Sequence, residues 1–325
     1  MILYDNGWDH TKGIQRFSDG VLDVLKFRWE FLFQEGESSR VAKLLSFQNI
    51  LVRNQLQVFY SPGYIDYPYA KKRIITIHDL IQIDSYTGLK KIRALSYYSK
   101  YLKPRILDHQ IQVCTVSQMS QERIIKWLGT QDIKIIIASP GLSSPFKENI
   151  NLNFKKSPQI ILVTSEATHK GFDYFAKASW YLKEKWKIVI VGITNLQKYE
   201  IDPRHNYKTF HSVTDNELLK LYNSSSILCI PSTMEGFCIP ALEGASQGLR
   251  VVFFNHIKTI HEISGKLGNA VDLSSGPEGL ASSIEKTFPL SSELTLSEMI
   301  RIRSEYSWNE TLLPLNNFLR SLQDY

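Results

Sequence analysis

Pro231-Ser232-Thr233-Met234-Glu235-Gly236-Phe237-Cys238-Ile239-Pro240-Ala241-Leu242-Glu243-Gly244 leads from an apolar run into a helical pattern. The run that ends at Pro231 has the length and β-branching of a buried strand, beginning at Ile227. Pro240 suits a first helical turn, where its missing N–H costs nothing. Strand, glycine loop and helix in that order form the repeating unit of a parallel sheet. The N–H groups of Phe237, Cys238 and Ile239 then face outward from a helix N-terminus, an arrangement that takes a phosphate or the polar rim of a sugar. Glu235 lies in the loop and Glu243 in the first turn, so they can reach two different hydroxyl-bearing groups of one ligand. Outside such a setting, glutamates near a helix start are ordinary dipole partners on a solvated surface.

Outward from this motif the same alternation fills the chain. In the second half the pattern predicts strands over 160–164, 187–191, 208–211, 227–231 and 250–254, and helices over 172–185, 215–224 and 240–247. In the first half it predicts strands over 2–5, 58–61, 74–78, 112–117 and 134–139, with helices over 14–33, 92–103 and 118–128. Two α/β domains are therefore expected, at 1–145 and 159–306, joined by a polar linker at 146–158. Residues 307–325 read as one helix, with Trp308, Leu312, Leu315 and Leu319 at spacings of three and four, a candidate to pack back on the first domain. Ligands of open α/β sheets bind beyond the carboxyl ends of the strands. Gly13, His78, Lys170 and Glu235 all fall at such ends, so a cleft between the domains can gather them. Taken singly, Gly13 is also a turn residue, His78 a core histidine and Lys170 a solvated helix-start lysine.

Bulk composition narrows the function classes. With 325 residues, 43% apolar and 22% charged, the chain has the composition of a soluble globular protein. Cys114, Cys229 and Cys238 lack metal-ligand spacing and read as reduced core thiols. No apolar run approaches the ~20 residues of a membrane-spanning helix, and Met1-Ile2-Leu3-Tyr4-Asp5 reads as a first strand, so a cytoplasmic protein is expected. A net charge of +6 and a pI near 9.0 point to an anionic partner. Zinc-finger spacing and RNA-recognition signatures are absent, so no nucleic-acid partner is expected. One local source of charge is 89–105, where Lys90, Lys91, Arg93, Lys100, Lys103 and Arg105 interleave with Tyr97, Tyr98 and Tyr101. Leu89, Ile92, Leu95 and Leu102 recur there at near-helical spacing. Such a helix either lies on an anionic membrane surface or packs its apolar stripe on the first sheet.

The glutamate loop resembles the signature of the retaining glycosyltransferases of family 4, two glutamates separated by seven residues in a Glu-Gly-Phe-Gly-x-Pro setting. Lys170-Gly171 is similar to that family's phosphate-binding Lys-Gly, and Asp215-Asn216-Glu217-Leu218 with Leu221-Tyr222 to the helix ahead of its signature. Gly248 to Val252, His261-Glu262 and Trp308 fall where the family has equivalents. Gly13-Ile14-Gln15-Arg16-Phe17, His78-Asp79-Leu80, Ser117 and Pro140-Gly141 extend the likeness into the first half.

The resemblance implies an α/β fold of the GT-B type, two Rossmann-like domains facing an interdomain cleft. It implies a retaining, metal-independent glycosyltransferase that needs no cofactor and moves a hexose from a nucleotide-sugar donor to a hydroxyl of a growing, lipid-linked glycan. Mannose or rhamnose is the expected type of sugar, and O-antigen or capsule the expected type of product. Glu235, His78 and Lys170 would serve catalysis. Glu243 would hold the ribose, and Ser165, Phe237, Cys238, Ile239 and Gly13 would complete the donor site. Three positions depart from the pattern: Ser165 stands for an arginine, Cys238 for a glycine and Arg250 for a common proline. Cys238 is expected to crowd its loop or to demand a negative φ. These departures motivate a second reading, a non-catalytic GT-B-like partner subunit of an active glycosyltransferase.

Overall fold

The computed structural model describes residues 2–8, 12–32, 58–150, 152, 157–287 and 289–322. The chain divides into two compact α/β units, Met1–Gly141 with Trp308–Tyr325 and Leu142–Ser307. Each is built on a six-stranded parallel sheet. The first sheet comprises β1 (Ile2–Tyr4), β2 (Trp29–Phe31), β3 (Val58–Ser61), β4 (Lys72–Thr76), β5 (Ile111–Thr115) and β6 (Ile135–Ile137), in the spatial order β2-β1-β3-β4-β5-β6. The second comprises β7 (Gln159–Val163), β8 (Lys187–Val191), β9 (Asn206–Phe210), β10 (Ile227–Ile230), β11 (Arg250–Phe254) and β12 (Gly268–Val271), in the order β12-β11-β10-β7-β8-β9.

In the first unit the helix predicted over 14–33 is shorter, α1 spanning Lys12–Val24, and Trp29–Phe31 forms the edge strand β2. The open edge of β1 draws the segment into the sheet. Phe27, Trp29 and Phe31 alternate with Arg28 and Glu30 at the strand period, and Trp29 meets Tyr4 edge-on at 5.0 Å. The rest of the predicted span, residue 33, lies outside the described residues. The helix predicted over 92–103 proves composite: an α-helix at Gly88–Leu95, a π-helical stretch at Ser96–Leu102 and an α-helix at Lys103–Leu107. A π turn takes up extra residues and rotates the helix face. Tyr98, Leu102 and Ile106 accordingly join the core of this unit, whereas Leu89 and Ile92 are 72% and 63% exposed. The helix Gln118–Leu128 matches its prediction because both ends are written in sequence: Ser117 Oγ accepts from Ser120 N at 3.0 Å, and Gly129 takes the left-handed cap.

Residues 307–325, read as one helix, form two, Trp308–Thr311 and Leu313–Ser321. Pro314 in the first turn of the second has no N–H to continue the first; residues 323–325 lie outside the described residues. The Trp308 indole meets Phe17 of α1, and a Cβ on Gly20 would fall 2.4 Å from that ring. Leu312, Leu315 and Leu319 are fully buried.

In the second unit the helix predicted over 172–185 stops at Ser179. The N–H groups of Lys183 and Glu184 are drawn away to the Glu285 carboxylate, at 3.0 and 3.3 Å. Strand β12 and the helices Lys258–Ser264, Gly276–Glu285 and Ser292–Glu305 carry patterns too short or too polar to have been predicted. The boundary between units falls ahead of the expected linker, of which 151 and 153–156 lie outside the described residues. Leu142 N donates to Tyr306 O at 2.7 Å, and Arg303 Nη2 donates to the carbonyls of Phe146 and Asn149 at 3.1 and 2.7 Å. These bonds join 142–149 to the second unit.

Candidate active site

In the second unit two loops follow the carboxyl ends of β7 and β10. The first closes with a short 3-10 turn, Thr168–Lys170, and Gly171. Gly171 has φ +66°, and a Cβ there would stand 1.9 Å from the carbonyl oxygen of Pro231. Only glycine allows so close an approach. The loops are then stitched together: Thr233 N and Oγ1 both donate to the carbonyl of His169, at 2.8 and 3.3 Å. This contact brings the Lys170 ammonium to the Glu235 carboxylate, with Nζ 2.9 Å from each oxygen. Glu235 is 6% exposed at its side chain and Lys170 29%, so the pair is largely shielded from water. Burial pushes the neighbouring His169 imidazole down, the Lys170 charge adds to this, and Glu235 opposes it.

Behind the loop, the helix α2 (Ile239–Ser246) starts with Pro240 in its first turn. Cys238 immediately before it has φ +76° and ψ +73°. The expected negative φ is therefore not adopted: the cysteine keeps the left-handed conformation that glycine would take, at a cost of roughly 1–2 kcal/mol. Its thiol is buried, and desolvation raises its pKa strongly. Among the described residues, no backbone acceptor outside the helix takes the N–H of Phe237, Cys238 or Ile239. Phe237 is anchored edge-on against Tyr306, ring centroids 5.9 Å apart.

Glu243 is buried within α2 and accepts a hydrogen bond from the Tyr222 hydroxyl at 3.2 Å. Tyr222 belongs to the helix Asp215–Ser224, is fully buried, and meets Phe146 edge-on. It orients a site carboxylate, a role the sequence reading did not assign; its place on the helix preceding the motif was the available signal. Ser165 sits beyond β7, and its hydroxyl accepts weakly from Ala167 N at 3.4 Å, which makes a turn and brings no charge.

The second unit thus assembles Lys170, Glu235, Glu243 and the Phe237–Ile239 backbone at the carboxyl end of its sheet. His78 and Gly13 belong to the first unit. Gly13 is an exposed residue in the first turn of α1, without a left-handed φ, and so makes no turn there. His78 follows β4, partly buried, with Phe17 edge-on at 5.2 Å. Its Nε2 lies 2.8 Å from the Pro62 carbonyl oxygen, which can only accept, so Nε2 carries the proton and Nδ1 the lone pair. Burial pushes this imidazole down from 6.5 to about 4, while the bond to Pro62 opposes the shift. At neutral pH His78 is an uncharged acceptor.

Comparison with known proteins fits this geometry. Residues 143–293 match the family described as glycosyl transferases group 1. An uncharacterized glycosyltransferase of Methanocaldococcus jannaschii is 30% identical over 184 residues, covering 50% of this chain and 45% of the relative. The O-antigen chain mannosyltransferase RfbU of Salmonella typhimurium is 27% identical over 206 residues, covering 60% and 55%. The chain spans about half the length of these relatives. WaaG, a glycosyltransferase involved in lipopolysaccharide biosynthesis, superposes with a TM-score of 0.67 over 98% of both chains at 17% identity, a likeness of fold. The fold is GT-B, and the match to glycosyl transferases group 1 falls within the second unit.

Two measurements check the site. A histidine with a depressed pKa favours the folded state above its unfolded value of 6.5 and loses that contribution as pH falls toward about 4. Chemical denaturation between pH 7 and pH 4 should show the native protein losing on the order of 2–3 kcal/mol that His78→Asn does not lose. Parallel pH curves for the two proteins would refute the buried neutral imidazole. At position 238, glycine should be more stable than alanine by about 1 kcal/mol, because both remove the thiol and only glycine relieves the left-handed strain. Equal stability of Cys238→Gly and Cys238→Ala would refute the strain.

Proposed function

We propose that the protein is a retaining, metal-independent glycosyltransferase of family 4 type, moving a hexose from a nucleotide sugar to a hydroxyl of a lipid-linked glycan. The observation that carries this reading is the Lys170–Glu235 pair, set beside backbone N–H groups at the start of α2, with Glu243 one turn further on. When the bond between sugar C1 and phosphate oxygen breaks, negative charge develops on the departing diphosphate. Lys170 and the helix N-terminus stabilise that charge. Glu235 supports the cationic character of the sugar, and the acceptor oxygen bonds to C1 on the face the phosphate leaves. The acceptor's proton passes to the departing phosphate oxygen. Glu243, held by Tyr222, accepts from the ribose hydroxyls. His78 offers Nδ1 to a donor-sugar hydroxyl, with Gly13 on the same acceptor-side unit. The name of the Salmonella relative favours a mannose-type donor and an O-antigen type of product.

Calorimetry with UDP, GDP and dTDP, run alongside turnover, tests the assignment. Glu243→Ala should cost on the order of 1.5–3 kcal/mol of nucleotide affinity, roughly 10- to 150-fold. Glu235→Gln should lower turnover at least about 100-fold without weakening nucleoside-diphosphate binding, because it releases Lys170 for the phosphates. Normal nucleotide binding by Glu243→Ala, or normal turnover by Glu235→Gln, would overturn it.

The same reading includes a cytoplasmic enzyme resting on the face of an anionic membrane through 89–105. No helix among the described residues is long and apolar enough to cross a membrane. Leu89, Ile92 and Leu95 are exposed, and the exposed Lys90, Arg93 and Lys100 lie among them, the composition an interfacial helix needs. Each basic side chain near an anionic surface contributes ~1 kcal/mol. The protein should sediment with anionic liposomes, be released by salt, and ignore neutral ones. Replacing Lys90, Lys91 and Arg93 by glutamate should abolish sedimentation and spare nucleotide binding. Equal recovery on neutral and anionic vesicles would show that the charge is not used.

A further inference from the structure

The amino ends of the second sheet enclose a cavity of about 460 Å³, at the opposite edge from Lys170 and Glu235. Its wall includes Trp186, Ser226, Ile227, Gly248, Arg250 and Leu290. Trp186 and Ser226 immediately precede β8 and β10, and Arg250 opens β11, so the parallel register places all three at one sheet edge. Most of the lining is apolar. Ser226, Thr287 and Thr295 add neutral hydroxyls, and Arg250, the residue that stands where a proline is common, brings the charge.

Arg250 donates from Nη1 to the carbonyl of Lys266 at 2.9 Å. Its Nε is buried and has no hydrogen-bond partner. Among the described residues no carboxylate lies within ion-pair distance of this guanidinium. A partly buried cation beside an apolar cavity, with no carboxylate to neutralise it, is stabilised by an anion that joins it. Desolvation lowers the Arg250 pKa, as such a setting must. Charge and shape together define the missing partner. The guanidinium requires an acidic head, and the apolar wall with its indole requires an apolar, preferably aromatic body.

We propose that this cavity is a second binding site, distinct from the donor site, which takes a small anion carrying an apolar body, its acidic head on the Arg250 guanidinium and its body against Trp186. The site reads head and body separately, so a matched pair of probes differing only in the head isolates the role of Arg250. 8-Anilinonaphthalene-1-sulfonate and N-phenyl-1-naphthylamine are such a pair, sharing the body and differing by the sulfonate.

The native protein should bind the sulfonate at one site, with energy transfer from tryptophan that Trp186→Phe diminishes, and should bind the neutral amine at least tenfold more weakly. Arg250→Leu should weaken the sulfonate at least tenfold and leave the amine unchanged. Leu290→Trp, which fills the cavity without touching the charge, should exclude both probes. Nucleoside-diphosphate binding, measured on each variant, reports that the unit remains folded. Equal affinity of the native protein for the two probes would overturn the proposal. So would undiminished sulfonate binding by Arg250→Leu, or by Leu290→Trp in a protein that still binds nucleotide.

Discussion

The approach of Gly171 to the carbonyl of Pro231 is the constraint on which the site depends. With 1.9 Å between that oxygen and the place a Cβ would occupy, no other residue lets the loop after β7 reach the loop after β10. The approach sets the hydrogen bonds from Thr233 to His169, and these place Lys170 over Glu235. The loops rest on β7 and β10, which are hydrogen-bonded neighbours although 67 residues of sequence separate Ile160 from Ile227. Sheet topology thus does the long-range work, and glycine the last few ångströms.

This division explains what could be read from the chain. Segments with complete local signals agree with prediction: Val58–Ser61, Lys187–Val191 and Arg250–Phe254 as uniform apolar runs, Gln118–Leu128 and Asp215–Ser224 with a side-chain cap at their start. Where the signal is set by partners elsewhere, prediction fails. Trp29–Phe31 becomes a strand because β1 offers an edge, and the helix after Phe172 ends early because Glu285 competes for its N–H groups. The π-helical stretch at Ser96–Leu102 left no mark in periodicity, although it determines which side chains are buried. In the site, the two glutamates and Lys170 were legible because their chemistry is local to short motifs. Tyr222 was not, because its contact with Glu243 spans 21 positions and rests on the packing of two helices.

Cys238 and Ser165 departed from the expected pattern, and the structure separates their consequences. At Cys238 the backbone adopts a left-handed φ that suits glycine, α2 starts where Pro240 requires, and the cysteine brings strain of roughly 1–2 kcal/mol set against burial of the thiol. At Ser165 the chemistry changes. A hydroxyl engaged in a local turn replaces a formal positive charge, and a neutral hydrogen bond has about half the strength of a charge-assisted one. The first departure gives no support to a non-catalytic subunit; under the proposed function the second would shift the electrostatic burden onto Lys170 and the helix N-terminus.

That burden also bears on selectivity. In the structure the Lys170 ammonium is held by Glu235, so under the proposed function an arriving diphosphate would compete with a carboxylate that is itself shielded from water. A diphosphate alone would take the lysine and leave Glu235 charged, buried and short of donors, a costly state. A diphosphate carrying a sugar avoids this cost, since sugar hydroxyls can donate to Glu235 as the lysine turns to the phosphates. On this argument the ion pair is a selectivity element. Under the proposed function it would penalise the bare nucleotide and favour a ligand that brings an anion and hydroxyls together, and the two side chains proposed to bind the donor would also help to expel the diphosphate once the sugar has left.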